Sequence, residues 1–191
     1  MRLPYTDNPP KNLSQQDEEV LKRVLVRRGE KGLIPLDLTL LHSPNVTDGW
    51  NSLLGAIRTR TALPAAIREI AICRPALINE AWFEWNAHAP ILLAADGFTE
   101  AKLSVVQQLH PKSQGDLSDQ EWAVLVYADE MTRNVKVSEE TFGKLRSVGF
   151  GEKDVVEITA TVASYNMVSR FLVALDVGEQ NGLKPDWAGK S

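Results

Sequence analysis

The sequence predicts an all-α chain, and three observations carry that reading. Apolar residues recur at helical spacing in several windows, as in Trp50, Leu53, Leu54 and Ile57. Capping patterns precede such windows, with Ser14 ahead of Asp17 and Ser118 ahead of Glu121. Strand signals are weak: β-branched clusters are short, and neither Asp48-Gly49 nor Asn181-Gly182 separates two alternating runs.

Taken in order, residues 1–13 hold Pro4, Pro9 and Pro10 and read as an extended lead-in to one helical domain over 14–191. Ser14 caps a helix with Leu21, Val24 and Leu25 on one face, broken by Gly29 and Gly32. Leu36 to Leu41 reads as a short helix feeding the Ser43-Pro44 loop. The Trp50 stripe follows, and Pro64 is placed to open a helix carrying Ile67, Ile70, Ala71 and Leu77, which Pro75 should bend or end. A helix over roughly Glu80 to Ala95 should kink at Pro90 and stop before Gly97, and Thr99 caps another reaching about Leu109. Ser118 with Glu121 opens a helix containing Trp122, Leu125, Val126 and Met131, and Ser138 opens a short one with Phe142 and Leu145. From Asp154 to about Val177 apolar residues fall all round the wheel, as suits a helix central to the core or to a subunit interface.

Composition narrows the function classes. With 191 residues the chain can bury a sizeable core, and its formal net charge of -4 carries no basic stripe of the kind nucleic acid requires. A lone Cys73 forms no internal disulfide and points to a reducing, cytoplasmic setting. The first residues lack the apolar core of a signal peptide, and no run of 18 consecutive apolar residues suggests a membrane partner. His42, His88 and His110 are far apart with no metal-ligand spacing, and the glycines are scattered singly, so neither a metal nor a nucleotide cofactor is expected.

One segment concentrates polar groups among large aromatics. Arg68-Glu69 is followed after eleven residues by Ala81-Trp82-Phe83-Glu84-Trp85-Asn86-Ala87-His88. On a helix, Ala81, Glu84 and His88 share a face, and Trp85 lies one turn from Trp82 and from His88. A carboxylate and an imidazole one turn apart can pair and orient the ring, as general acid–base chemistry needs; the same spacing also suits a partly exposed ion pair.

With Pro90 after it, this pattern resembles the central motif of the carboxymuconolactone decarboxylase and AhpD-like superfamily. The likeness runs over about residues 45–135 and extends more loosely to Leu41-His42-Ser43-Pro44, Tyr165-Asn166 and Arg170. It implies an AhpD-like helical bundle, with Glu69 at the position of the family's proton-relay glutamate and His88 at that of its histidine. Ala81 and Glu84 stand where redox-active members carry their two cysteines, so a thiol peroxidase is disfavoured: its cycle needs a thiolate and a resolving thiol. The Glu84-Trp85-x-x-His88 segment matches the branch without those cysteines.

The resemblance therefore implies a cofactor-independent, carboxymuconolactone decarboxylase-like lyase or isomerase acting on a small carboxylated lactone or keto compound. His88 would be the general acid, Glu69 would orient it or relay its proton, and Glu84 would supply a second carboxylate. Trp82, Trp85 and Trp50 are candidate substrate walls, Arg170 a candidate carboxylate receptor, and His42 a further substrate contact. The alternative is a non-catalytic member that keeps the fold for binding or assembly. A homo-oligomer, a trimer or a multiple of trimers, is implied in either case.

Overall fold

The computed structural model describes residues 1–189, and among these it contains nine α-helices and no strand. The helices are α1 Gln15–Arg28, α2 Pro35–Leu40, α3 Pro44–Thr59, α4 Ala65–Ile78, α5 Trp82–Leu93, α6 Glu100–Val106, α7 Asp119–Asn134, α8 Glu139–Ser147 and α9 Glu152–Leu175. Packing groups the described residues into two compact units. The first comprises Met1–Thr61 with Leu175–Glu179, and the second Ala62–Ala174 with the chain from Gln180 onward.

In the first unit α1 packs on α3, and α2 on α3 and on the 177–179 turn. Ser14 accepts the Asp17 backbone N–H as N-cap, as its spacing predicts. Val20 and Val24 bury the inner stripe of α1, whereas Leu25 stays exposed. Buried Asp37 takes a two-pronged pair from Arg28, both contacts at 2.7 Å, and accepts the Ile34 N–H. Residues 1–13 carry no helix; Thr6 N–H and Oγ1 bond the Leu38 carbonyl.

The second unit is built around α4, which packs on α5, α6 and α7, while α7 also carries α8. Its core joins Ile70, Leu92, Val106, Val124, Leu145, Ile158 and Val162. The Ser118–Glu121 capping box forms with both reciprocal bonds. On α9, Ile158, Val162, Tyr165 and Leu172 are buried while Val156 is 66% exposed, so its apolar surface is only partly used. This helix has the length and hydropathy to cross a membrane, yet half of its most apolar 18-residue window is buried by packing.

The starts and ends of α4, α5 and α6 have physical causes, and those of α5 and α6 differ from the spacing-based expectation. α4 runs three residues past Pro75 and closes in a Schellman turn, with Ala81 N–H on the Ala76 carbonyl at 2.8 Å and Glu80 N–H on Leu77. Glu80 occupies the left-handed position of that turn, φ 53°, which is why α5 starts at Trp82 rather than Glu80. α6 stops at Val106 rather than near Leu109, because the carbonyls of Val106, Gln108 and Leu109 turn to the buried guanidinium of Arg74.

Candidate active site

Arg74 fixes the helix on which the site is built. Its side chain is fully buried, and Nε and Nη2 meet the Asp129 carboxylate of α7 at 2.6 and 2.7 Å. About one and a half turns earlier on α4 lie Arg68 and Glu69, with Cys73 between them and Arg74. α5 returns along α4 from the Schellman turn and presents Glu84 in its first turn and His88 one turn later.

Glu69 and His88 meet. Glu69 Oε2 lies 2.6 Å from His88 Nδ1, with Glu69 1% and His88 6% exposed. A contact this short between buried groups holds the ring in one orientation and assigns Nδ1 to the carboxylate. The Tyr165 ring of α9 stands edge-on to the imidazole, with centroids 5.2 Å apart. Glu69's other oxygen faces Arg68, whose Nε lies 3.5 Å away. Nε of Arg68 is buried and makes no hydrogen bond.

Glu84 is buried as well, and its Oε2 lies 2.8 Å from Ser169 Oγ of α9. Ser169 Oγ also lies 2.7 Å from the Tyr165 carbonyl. A hydroxyl has one proton, and here it stands between a carboxylate oxygen and a carbonyl, so Ser169 ties Glu84 to α9. Cys73 is fully buried, and its thiol is pushed well up from its ordinary value, first by burial and then by the charges of Glu69 and Glu84. That is the opposite of what a nucleophilic cysteine needs. Among the described residues, no three His, Cys, Asp or Glu side chains form a metal-ligand group.

The other residues singled out from the sequence lie as follows. Trp82 and Trp85 are buried in the core of the second unit and pack against Trp187, at 6.3 and 5.1 Å between centroids. Trp82 and Trp187 also line a cleft of about 190 Å³ with Leu77, Glu80, Gln107 and Lys184. Arg170 is exposed, and its Nη1 donates to the carbonyl and Oδ1 of Asn166. Trp50 and His42 belong to the first unit: Trp50 is buried there, and His42 Nε2 lies 2.7 Å from the Pro4 carbonyl. Sequence reasoning missed Ser169 and Trp187, and it used Arg68 only as a landmark. Nothing in the spacing pairs α5 with α9, so Ser169 had no signal, whereas the polar character of Arg68 beside Glu69 was visible.

No family model and no curated protein matches the chain. Solved structures do. A peroxidase-related protein from Ralstonia eutropha, described as an alkylhydroperoxidase AhpD core, superposes with a TM-score of 0.74 at 22% identity, covering 92% of this chain and 90% of that one. A peroxidase-related protein from Silicibacter gives 0.73 at 16% identity, covering 95% and 93%. The debrominase Bmp8 gives 0.66 at 16% identity, covering 92% and 89%, and a cysteine-to-alanine form of it was solved with 2,3,4-tribromopyrrole. At least one protein of this architecture, the debrominase, is an enzyme, and the present chain is built on the AhpD-like fold.

Proposed function

We propose that the chain is a cofactor-independent acid–base enzyme, a carboxymuconolactone decarboxylase-like lyase or isomerase acting on a small carboxylated lactone or keto compound. The observation that supports it most is the buried 2.6 Å contact between Glu69 Oε2 and His88 Nδ1. With Nδ1 assigned to Glu69, proton exchange with a substrate runs through Nε2. In the decarboxylating form, the carbon–carboxylate bond breaks, CO₂ leaves, and its electron pair forms an enolate. Imidazolium Nε2–H then protonates that carbon, and solvent restores the proton. Glu69 orients the ring and stabilises its charged form, and Glu84 supplies a second carboxyl group one turn from His88. In the isomerising form, His88 starts as the neutral imidazole: Nε2 takes a proton from one carbon, and the resulting imidazolium returns it to another.

Trp82 and Trp85 would supply the apolar wall, with Arg170 as a further substrate contact. The lone Cys73 supports a cytoplasmic location, and the exposed Val156 and Met167 on α9 support a homo-oligomer, a trimer or a multiple of trimers. A second reading, a non-catalytic binding or assembly protein, is favoured by one observation: Glu84 and His88 are both nearly inaccessible and both have buried partners. A mass-spectrometric screen against carboxylated lactones and β-keto acids separates the two. The catalytic reading expects loss of CO₂ or an isobaric product, abolished in His88→Gln. A folded wild type that turns over no member of the panel supports the scaffold.

A further inference from the structure

We propose that the basic groove between α1 and α3 binds a small phosphate monoester, its phosphate lying over Gly55 between Arg27 and Arg60. The groove belongs wholly to the first unit and is lined by none of Glu69, Glu84 and His88, so the inference goes beyond the acid–base reading and does not depend on it.

Charge leads to it first. Lys22, Arg23 and Arg27 of α1 and the α3 C-cap Arg60 line the groove against one lining carboxylate, Asp48, in a chain whose net charge is -4. Glu19 and Asp48 answer Lys22 and Arg23, at 2.7 and 2.8 Å. Arg60 has no such answer: among the described residues its Nη2 donates to the Ser52 carbonyl at 3.3 Å, and it pairs with no carboxylate. Arg27 Nε donates to Oδ1 of Asn51, the residue before Ser52, and its Nη2 stands 3.8 Å from Asp37, which Arg28 already holds in a two-pronged pair. Two guanidiniums are thus anchored on adjacent residues of α3, a like-charge juxtaposition that an anion between them relieves.

Shape and reach agree with charge. The groove measures about 570 Å³, inside the range of roughly 300–1,000 Å³ that small-molecule sites occupy. Its floor is open at Gly55, one turn on from Asn51. Glycine inside a helix is destabilising relative to alanine, yet a Cβ at this position would meet only Arg27 Cδ, at an ordinary 3.6 Å. Packing therefore does not demand glycine here, whereas an unobstructed floor beside Arg27 does. Arg60, Ser52 and Thr59 are exposed, so a solute reaches the groove. Guanidinium forks suit phosphate oxygens, and Asn51, Ser52 and Thr59 offer neutral hydrogen-bonding groups to a hydroxylated body. Val26 is the one apolar side chain among the lining residues, which selects a sugar-phosphate type of ester over an aromatic one.

The test titrates glucose 6-phosphate and glucose into the full chain by calorimetry at about 0.15 M salt, where attraction between exposed charges is screened beyond roughly 8 Å. Wild type is expected to bind the ester and not glucose. Arg60→Gln is expected to weaken that binding roughly tenfold. Gly55→Leu fills the floor while keeping every charge, and is expected to abolish it. Thermal melts establish that both variants fold. No binding of the ester by wild type, equal binding of glucose, or undiminished affinity in folded Gly55→Leu or Arg60→Gln would each overturn the site, the undiminished Gly55→Leu marking general attraction to a basic surface. Arg60→Gln, an exposed change, decides the matter if Gly55→Leu does not fold. A phosphate monoester is also a lipid headgroup, so vesicles containing phosphatidate form the second arm. They are expected to leave the chain in solution; sedimentation with them, in place of binding to glucose 6-phosphate, overturns the soluble ester.

Discussion

Removing the carboxylate of Asp129 should destabilise the second unit by about 3 kcal/mol, because it leaves the buried Arg74 charge without its counter-charge. Arg74 is 0% exposed, and two of its nitrogens sit 2.6 and 2.7 Å from Asp129. Asp129→Ala leaves the guanidinium with only the carbonyls of Val106, Gln108 and Leu109. Breaking one partner of a buried pair costs about 3–5 kcal/mol. Asp129 is itself 17% exposed, so water can enter where its carboxylate stood, which places the expected loss near the lower figure, about 3 kcal/mol. For a chain of this length that corresponds to a Tm lower by roughly 6–12 °C. Circular dichroism with urea and thermal melts reads both quantities. A loss under about 1 kcal/mol would show that Arg74 does not depend on Asp129, and the account of α4 as a pinned helix would fall.

Two further predictions concern single residues. Burial keeps the Cys73 thiol protonated in the folded chain above the ordinary value of 9.0, while the unfolded chain ionises there and releases its proton. Stability should therefore fall as pH rises past about 9, by up to ~1.4 kcal/mol per pH unit, and Cys73→Ala should flatten that slope in urea titrations; parallel slopes would refute the assigned cause. Val135 ends α7 at φ 63° in a tight turn, with Lys136 N–H on the Asn134 carbonyl at 2.6 Å and its side chain 82% exposed. A β-branched residue is strained there and loses no packing when removed, so Val135→Gly should add about 1 kcal/mol. A lower melting temperature would contradict this.

The helices were legible because their signals are local. Ser14, Thr99, Ser118 and Ser138 all act as the N-caps their neighbours suggest, and the apolar stripes turn inward. Misplaced boundaries arose where a distant group won. Arg74 unwinds the end of α6, an effect no window around Leu109 contains. Glu80 holds a left-handed position that sequence habit assigns to glycine, so α5 seemed to begin too early. In the site, Glu84 and His88 share a helix face as the spacing requires, and each meets a side chain from another helix, Ser169 for Glu84 and Glu69 for His88. The meeting of Glu69 with His88 followed from the resemblance rather than from periodicity, because spacing within one helix says nothing about how α5 folds back on α4.

The claim that the Glu69–His88 pair transfers a proton to carbon is tested most directly by running the reaction in D₂O and reading the product by NMR. With a carboxylated substrate found in the screen, wild type should place deuterium on one face of the carbon that lost CO₂. His88→Gln, with its fold and oligomeric state retained, should turn over roughly two to four orders of magnitude more slowly. A His88→Gln protein that keeps near-wild-type turnover and the same single-face labelling would remove His88 from the chemistry and contradict the account.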